Sequence, residues 1–120
     1  MILIIGGAYQ GKLDYARAEL GIRQEDVYTC AGPHIDFSKT CIYRIEEFTG
    51  GHPDPVAYFR QHRDQWQNSV LICQDIFCGV VPMGAENRAW RQNTGRLCQY
   101  LASEADRVVR IFCGLEQRLK

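Results

Sequence analysis

Apolar residues arrive along this chain in short runs separated by polar, glycine-bearing turns, and the period alternates between that of strands and that of helices. Ile2–Ile5 is an unbroken apolar run, too short for a helix and suited to a buried strand. From about Gly11 to Leu20 the positions Leu13, Ala16 and Leu20 fall on one helical face, and Gly21 ends the helix. Val27–Cys30 and Cys41–Phe48 read as two further strands, closed by "AGPH" and "TGGHPDP". Asp54 followed by Pro55 is an N-cap with proline at the first helical position, which predicts a helix to about Trp66. Ser69–Ile72 is another compact apolar strand. Between about Ala85 and Glu104, a stripe of Trp90, Thr94, Leu97, Cys98, Leu101 and Ala105 recurs at helical period. Arg88, Arg91, Gln92, Arg96 and Gln99 lie off that stripe. Val108–Cys113 is the last predicted strand. Strands alternating with helices predict an α/β class, a mostly parallel sheet flanked by helices, in one undivided domain over residues 1–120.

Charge narrows the partners. Fourteen basic and 14 acidic side chains cancel over 120 residues, so no global field draws in nucleic acid or an anionic membrane, and any anion site must be local. The opening "MILII" is too short for a signal segment or a membrane span, and a cytoplasmic location is expected. The six cysteines, Cys30, Cys41, Cys73, Cys78, Cys98 and Cys113, mostly sit inside apolar runs and read as free buried thiols. Cys73 and Cys78 lack the spacing of a zinc knuckle and have no histidine beside them, so no metal ligands are assigned.

The candidate chemistry begins at "IIGGAYQGKLDY". A strand feeding a glycine turn that opens a helix aims several backbone N–H groups at one point, at the positive end of the helix dipole. Gly6, Gly7, Ala8, Tyr9, Gln10, Gly11, Lys12, Leu13 and Asp14 are therefore the candidate nucleotide-binding residues, with Lys12 reaching the terminal phosphates. The alternative is a plain strand-to-helix turn with a solvated lysine. Leu13 stands where a Ser or Thr hydroxyl would ligate magnesium, and an isobutyl group offers no oxygen. Asp14 is turned about 100 degrees further round the helix and substitutes poorly. Tyr9, at the tip, could cover a base or rest on the surface.

The segments "IFCGVVPMGAENRAWRQNTGRLCQYLASEADRV" and "IFCGLEQRLK" resemble the C-terminal half of the adenosylcobinamide kinase/adenosylcobinamide-phosphate guanylyltransferase family of cobalamin biosynthesis. The positions that carry this are Gly79, Val81, Pro82, Arg88, Arg91, Gly95, Gln99, Ala102, Ala105, Asp106, Val108, Gly114 and Lys120. Gly6, Gly7, Ala8, Gly11, Lys12 and Ala16 are similar to the family's Gly-Gly-Ala-Arg-Ser-Gly-Lys-Ser and the alanine that follows it. The resemblance implies a three-layer, P-loop NTPase-like fold, ATP or GTP as nucleotide, a corrinoid (adenosylcobinamide) as second substrate, and a homo-oligomer, trimer or dimer.

The departures point to reduced chemistry. The family's guanylyl-accepting histidine sits among His, Arg and Trp after the second strand, whereas "AGPHIDFSKT" offers only His34, expected to be a solvated loop residue. The family's metal-facing Asp on the next strand is replaced in "CIYRIEEF" by Arg44, Glu46 and Glu47. Glu46 could substitute; a solvent-facing strand position is the plainer expectation. Asp75, at the C-terminal end of a strand, is the candidate for metal or base work and, with Lys12, the candidate catalytic pair; capping the following turn is its alternative role. Arg88 and Arg91, one turn apart, are a candidate anion-binding pair or a charged outer face. The expected function is nucleotide binding with guanylyl transfer missing, kinase activity weak or lost, and Mg2+ poorly supported. The alternative is a nucleotide sensor or a structural relative without catalysis.

Overall fold

The computed structural model describes residues 1–76 and 85–120. Gly79, Val81 and Pro82, which contribute to the resemblance, and Cys78, one of the six cysteines, lie outside the described residues. Six strands form one sheet: β1 (Ile2–Gly6), β2 (Val27–Thr29), β3 (Cys41–Tyr43), β4 (Val70–Gln74), β5 (Arg107–Phe112) and β6 (Leu115–Arg118), in the order β2-β3-β4-β1-β5-β6. Every pairing is parallel except β5 with β6. The helices are α1 (Lys12–Leu20), α2 (Ile45–Thr49), α3 (Pro55–Gln61), α4 (Arg63–Trp66) and α5 (Ala85–Glu104).

The period of two along the strands divides the core between the two faces of the sheet. Leu3, Ile42, Leu71 and Val108 pack with Phe48, Phe59, Trp66, Leu97 and Leu101 from α2 to α5. Ile4, Ile72, Val109 and Ile111 pack against Tyr15 and Ala16 of α1 on the other face. The result is the three-layer α/β sandwich expected, with β1, the strand that feeds the glycine loop, at its centre between β4 and β5.

Local signals held where they were strong. Asp54 caps α3 by accepting from the Ala57 N–H at 3.1 Å, with Pro55 in the first turn. Leu13, Ala16 and Leu20 do face the α1 side of the core, and Thr94, Leu97 and Leu101 on α5 are buried, as is Ala105 just past its end. The described cysteines are free, with Cys30, Cys41 and Cys73 buried, Cys98 half-buried and Cys113 exposed.

Three expectations are corrected. The predicted strand Cys41–Phe48 is a strand only to Tyr43; Arg44 takes a left-handed conformation (φ 61), and α2 follows. Ile45 and Phe48, three apart, then both reach the core, a spacing that a strand would have sent to opposite faces. The helix expected from Asp54 to Trp66 breaks at His62, whose ring Nδ1 lies 2.7 Å from the Tyr58 carbonyl. Finally, the chain does not end its sheet at Cys113. Cys113 (φ 52) and Gly114 (φ 75) make a two-residue turn of type I′ geometry, and β6 returns antiparallel along β5.

Candidate functional site

The turn leaving β1 is fixed by close backbone approach. A Cβ on Gly6 would lie 2.6 Å from the Ile111 carbonyl oxygen, so only glycine lets β1 and β5 meet there. Tyr9 adopts φ 59 and is fully exposed at the tip, and Gly11 adopts φ 93 as the residue before α1. No side chain caps α1, so the first N–H groups of the helix, at Lys12, Leu13 and Asp14, are not occupied by a capping side chain.

Lys12 does not wave in solvent. It is buried, and its Nζ donates to the Gly7 carbonyl at 2.6 Å, closing the loop over itself. Burial lowers its pKa from the ordinary lysine value, while the nearby charges of Glu46 and Asp75 pull in the opposite direction.

Residues Ala8 to Asp14 form one wall of a cavity of about 670 Å³. The facing wall is built by Tyr43 and Arg44 at the end of β3, Glu46 on α2 and Gln74 at the end of β4. The cavity therefore opens at the C-terminal ends of three adjacent parallel strands, where ligands bind in open α/β sheets.

Glu46 is the residue that sequence reasoning misplaced. Instead of facing solvent from a strand, it is 3% exposed on α2, and its Oε1 accepts from the Gln74 N–H at 2.8 Å. Its other oxygen lies 3.7 Å from Arg44 Nε. The Glu46 main-chain carbonyl accepts from Trp90 Nε1 at 2.8 Å and from Thr49 Oγ1 at 3.0 Å, so α5 holds this helix in position. Thr49 and Thr94 share a further hydroxyl contact of 2.6 Å across the same junction. The one local clue was the pair Ile45 and Phe48 at helical spacing.

Asp75 lies just past β4, half-buried, with its N–H donating to the Gly6 carbonyl at 2.7 Å. It is close enough to Lys12 to raise the pKa of that ammonium, yet it does not line the cavity; Glu46 does. Arg88 is exposed and Arg91 half-buried on α5, and neither lines the cavity. His34 is exposed in its loop, with its carbonyl accepting from Tyr28 Oη at 3.0 Å. Among the described residues, no helix is long and apolar enough to cross a membrane.

A central parallel strand, a glycine turn, a buried lysine and an acid on the neighbouring strand's exit define a P-loop NTPase-like fold. The family model described as cobinamide kinase/cobinamide phosphate guanyltransferase matches residues 54–119, and the chain belongs to that family. The matched stretch runs from the cap of α3 through β6; the glycine loop precedes it. No curated protein matches the chain.

Proposed function

We propose that the cavity binds the polyphosphate of ATP or GTP, and that this family member keeps nucleotide binding while having lost guanylyl transfer and most phosphoryl transfer. The observation that carries the reading is the convergence of the uncapped start of α1, buried Lys12 and the glycine loop on one side of a cavity whose other side holds Glu46 and Arg44. Backbone N–H groups and a lysine suffice to hold phosphate oxygens in the ground state. Transfer asks for more. It needs charge relief at the γ-phosphate, part of which magnesium supplies when bound.

The residues fit that cation poorly. Leu13 lines the cavity without an oxygen, one Glu46 oxygen is committed to the Gln74 N–H, and Asp14 is the remaining carboxylate on the wall. Glu46 and Asp14 are the side chains that would hold the metal. Within this chain, Lys12 neutralises phosphate charge, the loop amides orient it, and Arg44 offers a second cation on the opposite wall. Tyr9, projecting fully from the loop tip, is positioned to cover the base. Adenosylcobinamide is the acceptor that the family relationship supports, and residues 1–120 are read as a single nucleotide-binding domain.

Sensing without turnover is the second reading, favoured by Leu13 in the cavity wall in place of a metal-ligating hydroxyl. Calorimetric titration of ATP and GTP, with and without Mg2+, tests binding; phosphorylation of adenosylcobinamide tests turnover. The expected result is binding little changed by metal, with turnover rising in Leu13→Ser when Mg2+ is present. Absence of binding by either nucleotide overturns the proposal. Binding with Leu13→Ser still inert and metal-indifferent favours the sensor.

A further inference from the structure

We propose that Arg44 is the specificity-determining residue of the cavity: it contacts the outermost phosphate of a nucleotide held on the glycine loop, so that the site prefers triphosphates to diphosphates. The inference rests on the nucleotide reading given above and adds to it a count of phosphates.

Arg44 stands where an arginine suits the fold poorly. Its backbone is left-handed, with φ 61 and ψ 50, between the end of β3 and the start of α2. A Cβ crowds the following carbonyl oxygen in that conformation, which is why glycine and asparagine favour it. The other non-glycine residues with positive φ among those described are Tyr9, which also lines the cavity, and Cys113, whose N–H holds the Gln10 side chain of the loop. Backbone strain collected around one cavity is the pattern of a ligand site.

The side-chain contacts of Arg44 do not explain the choice. Its Nη2 donates to Glu47 Oε1 at 3.3 Å, and its Nε lies 3.7 Å from Glu46 Oε2, beyond hydrogen-bond length. The Arg44 and Glu47 side chains are about half exposed, 49% and 48%, and ion pairs so exposed add little to stability. Among the described residues Arg44 makes no other side-chain hydrogen bond, so most of its guanidinium donors are open to an incoming oxygen.

Position gives the open donors their target. Ile42 pairs with Leu71 and Leu71 with Leu3, so β3 ends at Tyr43 level with Ile4, and Arg44 leaves the sheet on the same edge as the glycine loop. β4 lies between β3 and β1, and two strand spacings separate Arg44 from the base of the loop by about 10 Å. The loop amides and Lys12 hold phosphates on the near wall. A further phosphate extending toward β3 comes within reach of the guanidinium, whereas a shorter chain leaves the gap unbridged. Glu46 brings negative charge to that gap, so a terminal phosphate is stable there only with a second cation beside it. Glu47 does not line the cavity and competes with the phosphate for Arg44.

Calorimetric titration of ATP, ADP, GTP, GDP and inorganic triphosphate into the full chain, with melting curves of each variant, tests the assignment. The parent chain should bind a triphosphate at least about tenfold more tightly than its diphosphate. Arg44→Gly should remove most of that ratio by weakening the triphosphate alone, while the melting temperature holds or rises because glycine relieves the left-handed backbone. A merely structural arginine would do the reverse, lowering the melting temperature and leaving the ratio intact. Arg44→Lys keeps the charge without the planar fork and should retain part of the ratio. Glu47→Gln should release the guanidinium and tighten the triphosphate more than the diphosphate. A parent chain that binds neither nucleotides nor inorganic triphosphate overturns the nucleotide reading and this inference with it. A parent chain that binds triphosphate and diphosphate equally, or a ratio that survives Arg44→Gly or stays unchanged in both Arg44→Lys and Glu47→Gln, overturns this inference alone.

Discussion

Gln10 Oε1 accepts a 2.6 Å hydrogen bond from the Cys113 N–H, and the Gly114 N–H donates to the Gln10 carbonyl at 2.9 Å. The tip of the glycine loop is thereby tied to the β5–β6 turn, more than a hundred residues away in sequence. Gln10→Ala removes the side-chain half of this tie. The expected loss is about 1 kcal/mol of unfolding stability, read by urea denaturation, together with a weaker titration curve for ATP and GTP. Unchanged stability and binding would show that the brace is idle.

Gly6→Ala tests the close approach of β1 to β5. The new Cβ would press against the Ile111 carbonyl oxygen, a backbone atom that cannot swing aside. The expected cost is about 1–3 kcal/mol, typical of overpacking a tight interior. Gly51→Ala, where an added Cβ meets nothing within 4 Å, is the control.

Glu46 separates its two roles under two substitutions. Glu46→Ala leaves the Gln74 N–H without its acceptor and should cost about 1–3 kcal/mol, whereas Glu46→Gln can keep that bond and should cost less. Both remove a negative charge that favours the Lys12 ammonium, so both should lower the Lys12 pKa further. Titration of the lysine by heteronuclear NMR reads the second effect independently of the first.

Alkaline pH should unfold the protein through its buried thiols. Burial pushes Cys30 and Cys41 from 9.0 up to about 12. The unfolded chain then releases these protons near pH 9 while the folded chain keeps them, so the stability they contribute is intact below 9 and is lost between 9 and 12. Each thiol should add a slope approaching 1.4 kcal/mol per pH unit within that window. Denaturation series from pH 8 to 10.5 for the parent chain and Cys41→Ala should differ in slope by about one thiol's share, and equal slopes would refute the assignment.

The legible parts of the site were those whose signal is local. Gly6 to Lys12 could be read because a strand, a glycine turn and a helix follow one another within a dozen residues, and Asp54 with Pro55 fixed the start of α3 in the same way. Glu46 was misplaced because the run from Cys41 to Phe48 satisfies strand propensity. What converts its second half to helix is distant: Trp90 and Thr94 reach over from α5 to hold the carbonyl of Glu46 and the hydroxyl of Thr49. The edge strand β6 has no apolar alternation to announce it, since both of its faces are wet. It exists because a two-residue turn folds it back onto β5.

By itself, the sequence determined the alternation of strands and helices, the glycine loop opening α1, the family relationship and the missing hydroxyl at Leu13. These depend on residue type and on spacings of a few positions, which propensity and periodicity report directly. Only the tertiary structure decided that Glu46 and Gln74, rather than Asp75 and the arginines of α5, face the loop across the cavity, and that Gln10 is anchored to Cys113. Such neighbours are created by sheet order and helix packing, which join residues far apart along the chain and leave no periodic trace in it.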